Sequence, residues 1–286
     1  MPVTTPGGPD GAQSSPESVD LDVVVLPAFA AADFTAEEDL PHELDPWLDD
    51  YAFEREYVVP GANAPVLVTD DGVAITPTGM GKADAAATVT ALLASPDLDC
   101  SDTYFVSVGI AGASPAVGTL GSVFIADHVV DWDRKQTWDG DGDDTTRSTR
   151  LLPYRPHDYA YALDADLVAT AREWATTVDL LDDERADRYR ERYAEEARWL
   201  VEQYDAGEYA TTEMEDFGTA TALARFDRLD RYLSVRGVVN FDRPPAGRSA
   251  RQTVAEDIGE VTVELGLENA YRVGSQIVDR LRDGAT

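Results

Sequence analysis

Short, nearly unbroken apolar runs alternate along this chain with longer amphipathic ones. Residues 21–28 read Leu-Asp-Val-Val-Val-Leu-Pro-Ala, the pattern of a strand buried on both faces. A polar, proline-containing stretch follows as far as Trp47. Residues 53–59 and 65–69 predict two strands joined by a turn at Pro60-Gly61-Ala62-Asn63. Residues 72–78 predict another strand, and the Ala/Thr/Leu stretch over 82–94 predicts a helix. Residues 103–108 predict a buried strand that ends at Gly109-Ile110-Ala111-Gly112; after a glycine turn at 117–121, residues 122–130 predict the next strand. Residues 136–150, rich in Gly, Asp and Thr, predict a loop. Helical spacing over 164–204 predicts two surface helices, capped at Asp164 and Asp182. A helix opened by Glu213-Met214-Glu215-Asp216 runs to Arg225, residues 232–239 form a strand, and 258–281 form a long closing helix. This alternation predicts an α/β fold with one mixed central sheet and helices on both faces. No repeat or linker interrupts it, so residues 21–286 are expected to be a single domain. Residues 1–20, rich in Pro, Gly, Ser and Asp, are expected to be a disordered acidic tail.

Charge changes this picture more than overall composition does. Asp and Glu number 55 against 23 Lys and Arg, a net charge of -32, and Lys82 and Lys135 are the only lysines. An acid excess with so little lysine predicts adaptation to high salt. At about 1 M salt the Debye length is only about 3 Å, so like surface charges hardly repel. The same charge excludes nucleic acid as a partner, because no basic stripe is present to neutralise a phosphate backbone. No apolar run approaches the roughly 20 residues that cross a bilayer, and the N-terminus lacks a secretory pattern. A cytoplasmic protein without membrane insertion is therefore expected. A lone cysteine, Cys100, excludes an internal disulfide framework and reads as a small, semi-buried residue. His42, His128 and His157 lack metal-ligand spacing, so no metal is expected.

Three segments carry candidate chemistry. Thr78-Gly79-Met80-Gly81 and Gly109-Ile110-Ala111-Gly112 each follow a predicted strand. Glycine there permits a sharp turn and a close approach of N–H groups to an anion or another substrate group. Neither is a Walker A loop, since Thr76 and Ala83 stand where that motif needs Gly and Ser/Thr. In the second segment, Glu213, Met214 and Glu215 open a helix, where carboxylates also suit the helix dipole. Carboxylates accept hydrogen bonds from sugar hydroxyls, and a thioether packs against the furanose face. Of three methionines, one is the first residue and the other two are Met80 and Met214, one in each of these two segments. The third segment places Asn240 and Asp242 at the end of an apolar strand, before Arg243-Pro244-Pro245. It reads either as a capping turn or as a pair that recognises a base: Asn donates and accepts, and Asp donates when protonated.

Taken together, Gly109-Ile110-Ala111-Gly112, Gly118-Thr119-Leu120-Gly121-Ser122, Glu213-Met214-Glu215 and Arg236-Gly237-Val238-Val239-Asn240 resemble the nucleoside phosphorylase and nucleosidase superfamily. With Tyr104-Phe105 and Asn240-Phe241-Asp242-Arg243-Pro244, the chain resembles more closely the purine nucleoside permease family. The likeness runs from about residue 21 to the C-terminus and is weakest over 136–205, where the Trp-His-Gly element of family members is missing.

The resemblance implies a phosphorylase/hydrolase-like fold and a purine nucleoside as the small-molecule ligand. It implies that Met214 and Glu215, with Glu213 beside them, hold the ribose hydroxyls, and that Asn240 and Asp242 contact the base. Glu215, Asn240 and Asp242 would then serve cleavage of the N-glycosidic bond, a carboxylate stabilising the cation-like sugar. Asn240 is not a general acid, which leaves either Asp242 as proton donor or Asn240 as a hydrogen-bond donor to the departing purine. Gly79, Met80, Gly81, Gly109, Ala111 and Gly112 would line the phosphate or substrate. No cofactor is implied; phosphate is a possible co-substrate. Pro27-Ala28-Phe29 lacks a phosphate turn, however, and neither glycine segment carries an Arg nearby in sequence to bind phosphate bidentately. Phosphate, water, and binding without turnover, as in a component of nucleoside transport, all remain open. The resemblance also implies a homo-oligomer.

Overall fold

The computed structural model describes residues 18–30, 41–138, 148–151, 159–181, 201–244 and 260–284. Its centre is an eight-stranded mixed sheet. The path runs β3 (Arg55–Tyr57), β4 (Val66–Val68), β5 (Val73–Ile75), β2 (Val23–Leu26), β7 (Tyr104–Ala113), β14 (Tyr232–Phe241) and β8 (Val123–Ile125), with β13 (Thr211–Thr212) pairing the far end of β7. The four central strands, β5, β2, β7 and β14, are parallel. The outer pairs, β3 with β4, β4 with β5, and β8 with β14, are antiparallel. Val23, Val24, Val25, Ile75, Phe105, Val106 and Val235 are wholly buried, as expected of parallel strands covered on both faces.

Helices cover the two faces, and alternation along β14 separates them. Tyr232, Ser234 and Arg236 reach Asp216, the first residue of α4 (Asp216–Arg225). Gly237, on the opposite side, meets α5 (Glu260–Arg282) so closely that an added Cβ would lie 2.0 Å from the Gly266 carbonyl oxygen. α4 packs on α2 (Lys82–Ala94) with equal closeness, because a Cβ on Gly218 would lie 2.0 Å from the Lys82 carbonyl oxygen. This contact sets the N-termini of α2 and α4 side by side, near the carboxyl ends of the parallel strands.

A short helix, α1 (Asp45–Asp50), docks through the buried Trp47, whose ring meets Tyr271 of α5 edge-on at 5.1 Å. Beyond the main sheet, β1 (Val19–Asp20) pairs β6 (Leu98–Asp99), β9 (His128–Val130) pairs β12 (Ala160–Ala162), and β10 (Lys135–Trp138) pairs β11 (Ser148–Leu151). α3 (Ala165–Ala175) starts at its expected cap, the Asp164 carboxylate accepting the Leu167 N–H at 2.8 Å.

Several expectations need correction. β7 does not stop before Gly109 but runs through Gly112 to Ala113, because β14 and β13 supply backbone partners along that stretch. Asn240 lies within β14 rather than past its end, after a register shift between Val238 and Asn240. The strand expected over 122–130 breaks at Ala126-Asp127 into β8 and β9, which pair with different neighbours. Part of the loop expected over 136–150 is the β10–β11 ladder. Val19 and Asp20, placed in the expected tail, pair with β6. Residues 1–17, and the helix start at Asp182, lie outside the described residues.

Candidate functional site

Ligands of open α/β sheets bind outside the carboxyl ends of the strands. Here that edge is formed by the segments following β2 and β5, the last residues of β7 and β14, and the start of α4. Backbone bonds tie the first two together: Thr78 N–H donates to the Pro27 carbonyl at 2.8 Å, and Gly79 N–H to the Ala28 carbonyl at 3.0 Å. Gly79 and Gly81 hold φ of +86° and +95°, left-handed conformations that favour glycine. This turn points the Gly81 N–H at α4, where it donates to Glu215 Oε1 at 2.8 Å.

Arg236 is the centre of the site. It is 2% exposed and faces three carboxylates that begin α4. Its Nη2 donates to Asp216 Oδ1 at 2.5 Å and lies 3.4 Å from Glu213 Oε2, while Nη1 lies 3.7 Å from Glu215 Oε2. Asp216 also accepts from Tyr232 OH at 2.8 Å and from Ser234 Oγ. Burial works against the Asp216 charge, yet Arg236 and these hydroxyls hold its carboxyl below the usual range. Glu213 caps the helix start, its Oε2 accepting the N–H groups of Glu215 at 2.6 Å and Asp216 at 2.7 Å. Burial, then repulsion from Asp216, pushes its carboxyl up to about 8.

A second wall comes from a residue that the sequence does not reveal. Glu43, two residues before α1, is buried at this edge. Its Oε2 accepts the Ala28 N–H at 2.5 Å and its Oε1 the Ile110 N–H at 2.8 Å. Glycine at position 109 makes room for it: a Cβ there would sit 2.3 Å from Glu43 Oε1 and 2.8 Å from Arg236 Nη1. Burial pushes the Glu43 carboxyl up to about 7, against the pull of Arg236 and the two N–H bonds. Arg236 Nη1, flanked by Glu43 and Glu215, is buried and makes no hydrogen bond among the described residues.

The expected site residues divide into those that meet at this edge and those engaged elsewhere. Glu213, Glu215, Gly81 and Gly109 belong to the cluster. Gly112 sits between β13 and β14, where an added Cβ would meet Asn240 Nδ2 at 3.0 Å and Thr212 Cγ2 at 3.3 Å. The Asn240 amide is thus adjacent to the strand that leads directly into Glu213. Ala111 is buried in β7 opposite Val238. Gly109, Ala111 and Gly112 therefore form a strand wall rather than a loop. Met80 and Met214 are exposed, at 44% and 62%, beside the site segments. Asp242 makes a two-point ion pair with Arg243, at 2.6 and 2.7 Å, and also bonds to Tyr209.

Arg236 overturns the expectation that no Arg stands beside the glycine segments, because β14 brings it across to Gly109. It was legible in one respect: a charge within the apolar run Ser234-Val-Arg-Gly-Val-Val needs a buried partner. Next to this cluster lies a cavity of about 280 Å³ walled by Trp132, His128, Tyr209, Thr211, Glu213 and Arg236. Among the described residues, no group of His, Cys, Asp and Glu is arranged to hold a metal ion, and no helix is long and apolar enough to cross a membrane.

Residues 20–199 and 198–284 match the family described as purine nucleoside permease (NUP). The chain belongs to that family. It is 28% identical over 260 residues to a protein of Schizosaccharomyces pombe described as a probable purine nucleoside permease, covering 71% of this chain and 74% of that protein. A purine nucleoside permease of Candida albicans is 36% identical over 93 residues, covering 31% of this chain and 23% of that protein. The fold is similar to that of the 5′-methylthioadenosine/S-adenosylhomocysteine nucleosidase of Neisseria meningitidis, in complex with methylthio-immucillin-A, with a TM-score of 0.58 and 16% identity over 90% of this chain and 97% of that one. The corresponding nucleosidase of Colwellia psychrerythraea, in complex with adenine, gives a TM-score of 0.59 and 16% identity, covering 93% and 96%. The futalosine hydrolase of Helicobacter pylori gives 0.55 and 14%, covering 92% and 97%. These likenesses establish the single-domain phosphorylase/hydrolase-like fold.

Proposed function

We propose that this NUP-family protein binds a purine nucleoside and cleaves its N-glycosidic bond with water as the nucleophile. The observation that carries this reading is the unpaired Nη1 of buried Arg236, set between the carboxyl groups of Glu43 and Glu215. A water there has a donor to fix its oxygen and a carboxylate to take its proton. Glu43, with its carboxyl near 7, is matched to act as base at neutral pH. The water oxygen bonds to the anomeric carbon while the C–N bond breaks, and its proton passes to Glu43. The bond's electron pair leaves with the purine, which takes a proton from solvent. Glu215, tethered to Gly81, accepts from the ribose hydroxyls and stabilises the positive charge that develops on the sugar. Met214 covers the sugar face. Asn240 donates to the departing base, and Asp242 keeps the strand end in place. Neighbours of the same fold hold adenine or a nucleoside analogue, and the named relatives are purine nucleoside permeases. A cytoplasmic homo-oligomer belongs to the same reading, with Met80 and Met214 exposed beside the site.

The test is incubation of the purified protein with inosine, adenosine or guanosine, at low and at multimolar KCl, with and without phosphate. Equal release of free base in both arms supports hydrolysis. Release only with phosphate makes the protein a phosphorylase, and intact nucleoside that binds without turnover makes it a carrier. Glu215→Ala should lower turnover at least about 100-fold. A variant that works like the wild type would remove Glu215 from the sugar.

A further inference from the structure

The donors around Glu43 form a site in their own right. Ala28 N–H comes from the segment after β2, Ile110 N–H from β7 and Arg236 Nη1 from β14. Three donors, one from the segment after β2 and one each from within β7 and β14, next to a glycine with no side chain, are the ingredients of an oxyanion cradle. That cradle is filled from within. The Glu43 carboxylate takes both backbone N–H groups and feels the Arg236 charge across Gly109 without pairing directly with it, held there by α1 and its Trp47 anchor.

We propose that Glu43 is the built-in occupant of an oxyanion cradle formed by Ala28 N–H, Ile110 N–H and Arg236, and that its side chain, charged or protonated, keeps external phosphate out. This deepens the reading of the same site as hydrolytic and rests on it for the role of the water. The cradle itself stands on the donor geometry. Removing the Glu43 carboxylate leaves two backbone donors and a guanidinium with one anion fewer to satisfy them. Loss of any such buried partner is costly, so the emptied cradle draws in a small oxyanion from solution. Formate carries the same group and charge as the lost side chain. Phosphate enters as its protonated monoanion, with a P–OH turned toward Glu215 Oε2, which stands 3.7 Å from Arg236 Nη1.

The experiment compares wild type, Glu43→Ala, Glu43→Gln and the double variant Glu43→Ala/Arg236→Met. Each is melted in formate, phosphate or chloride at matched ionic strength and mildly acidic pH. Binding of phosphate is read in parallel by line broadening of its phosphorus resonance. Glu43→Ala should melt higher in formate and phosphate than in chloride, and should bind phosphate at least about tenfold more tightly than the wild type. Glu43→Gln, which keeps the cradle filled, and the double variant should show neither effect. Because oxyanions that bind the native state raise its melting point, a weakened Glu43→Ala protein still reports. A Glu43→Ala protein that melts alike in all three salts, or a Glu43→Gln or double variant that responds as strongly, overturns the proposal. Phosphate binding by Glu43→Ala in a protein that never cleaves nucleosides would uphold the cradle and sink the hydrolytic reading, so the two fail separately.

Discussion

Glu43→Gln tests the buried carboxyl through stability and without any substrate. In the folded protein this group has a pKa of about 7 against an ordinary value of 4.5. Between those values the folded state holds a proton that the unfolded state has released. Stability attributable to this group is therefore greatest below pH 4.5 and is lost as pH rises to about 7. From about pH 5 to about pH 8 the loss amounts to about 2.5 kcal/mol. Glutamine fills the same space and does not titrate. Its amide nitrogen meets one backbone N–H unfavourably, but that cost is the same at every pH and cancels when the pH values are compared. Subtracting the stability of the variant from that of the wild type at each pH thus isolates Glu43. The assay is chemical denaturation at constant ionic strength across this range. The difference should shift against the wild type by about 2.5 kcal/mol as pH rises. A flat difference would mean that Glu43 titrates like a surface carboxylate, and would remove both its burial cost and its value as a base. Turnover should move the opposite way: in the wild type kcat/KM rises through about pH 7 as Glu43 loses its proton, and in Glu43→Gln this limb disappears.

Three other substitutions probe the same cluster. Arg236→Met strands Asp216, Glu213 and Glu215 without the guanidinium they face, and should cost about 3–5 kcal/mol in denaturant unfolding. A loss below about 1 kcal/mol would show that water already neutralises these groups. Gly109→Ala places a methyl group 2.3 Å from Glu43 Oε1, so Glu43 must leave the Ile110 N–H. A stability loss of about 1–3 kcal/mol with loss of turnover is expected, and an unchanged melting curve would contradict the close approach. Asn240→Ala should change the relative rates on adenosine, inosine and guanosine by about tenfold; an unaltered ranking and ratio would separate Asn240 from the base.

Much of the fold was legible because it depends on local pattern. The valine run at β2 reads as a doubly covered strand and is one. The helix over 82–94 matches α2 because Gly81 turns the chain just before it and the pattern ends at Ser95. Reading failed where pairing between distant segments overrides local preference. Glycines at 109 and 112 signal a turn in sequence, but β13 and β14 hold them in a strand. The β10–β11 ladder has no apolar alternation to announce it. Half the site escaped for the same reason. Arg236 left a trace, as a charge in an apolar strand. Glu43 left none: it is one of 55 acidic residues, in a polar segment, and only the docking of Trp47 beyond it reveals that it is buried.

The distribution of charge at this edge is itself an argument about function. A structural ion pair needs one carboxylate for Arg236, and Asp216 supplies it with short bonds. Glu213 has a separate structural task as the helix cap. Glu43 and Glu215 have no such claim on the guanidinium. Each is buried beside a charge already matched, and Glu215 faces the Arg236 nitrogen that makes no hydrogen bond among the described residues. Burial of a further carboxylate there costs stability, as the raised pKa of Glu43 records. A fold selected for stability alone would bond the Ala28 and Ile110 N–H groups with a neutral acceptor at position 43 and keep a Cβ at 109. Retention of both a costly acid and the glycine that admits it is what a site needs when its carboxylate must give and take a proton at neutral pH.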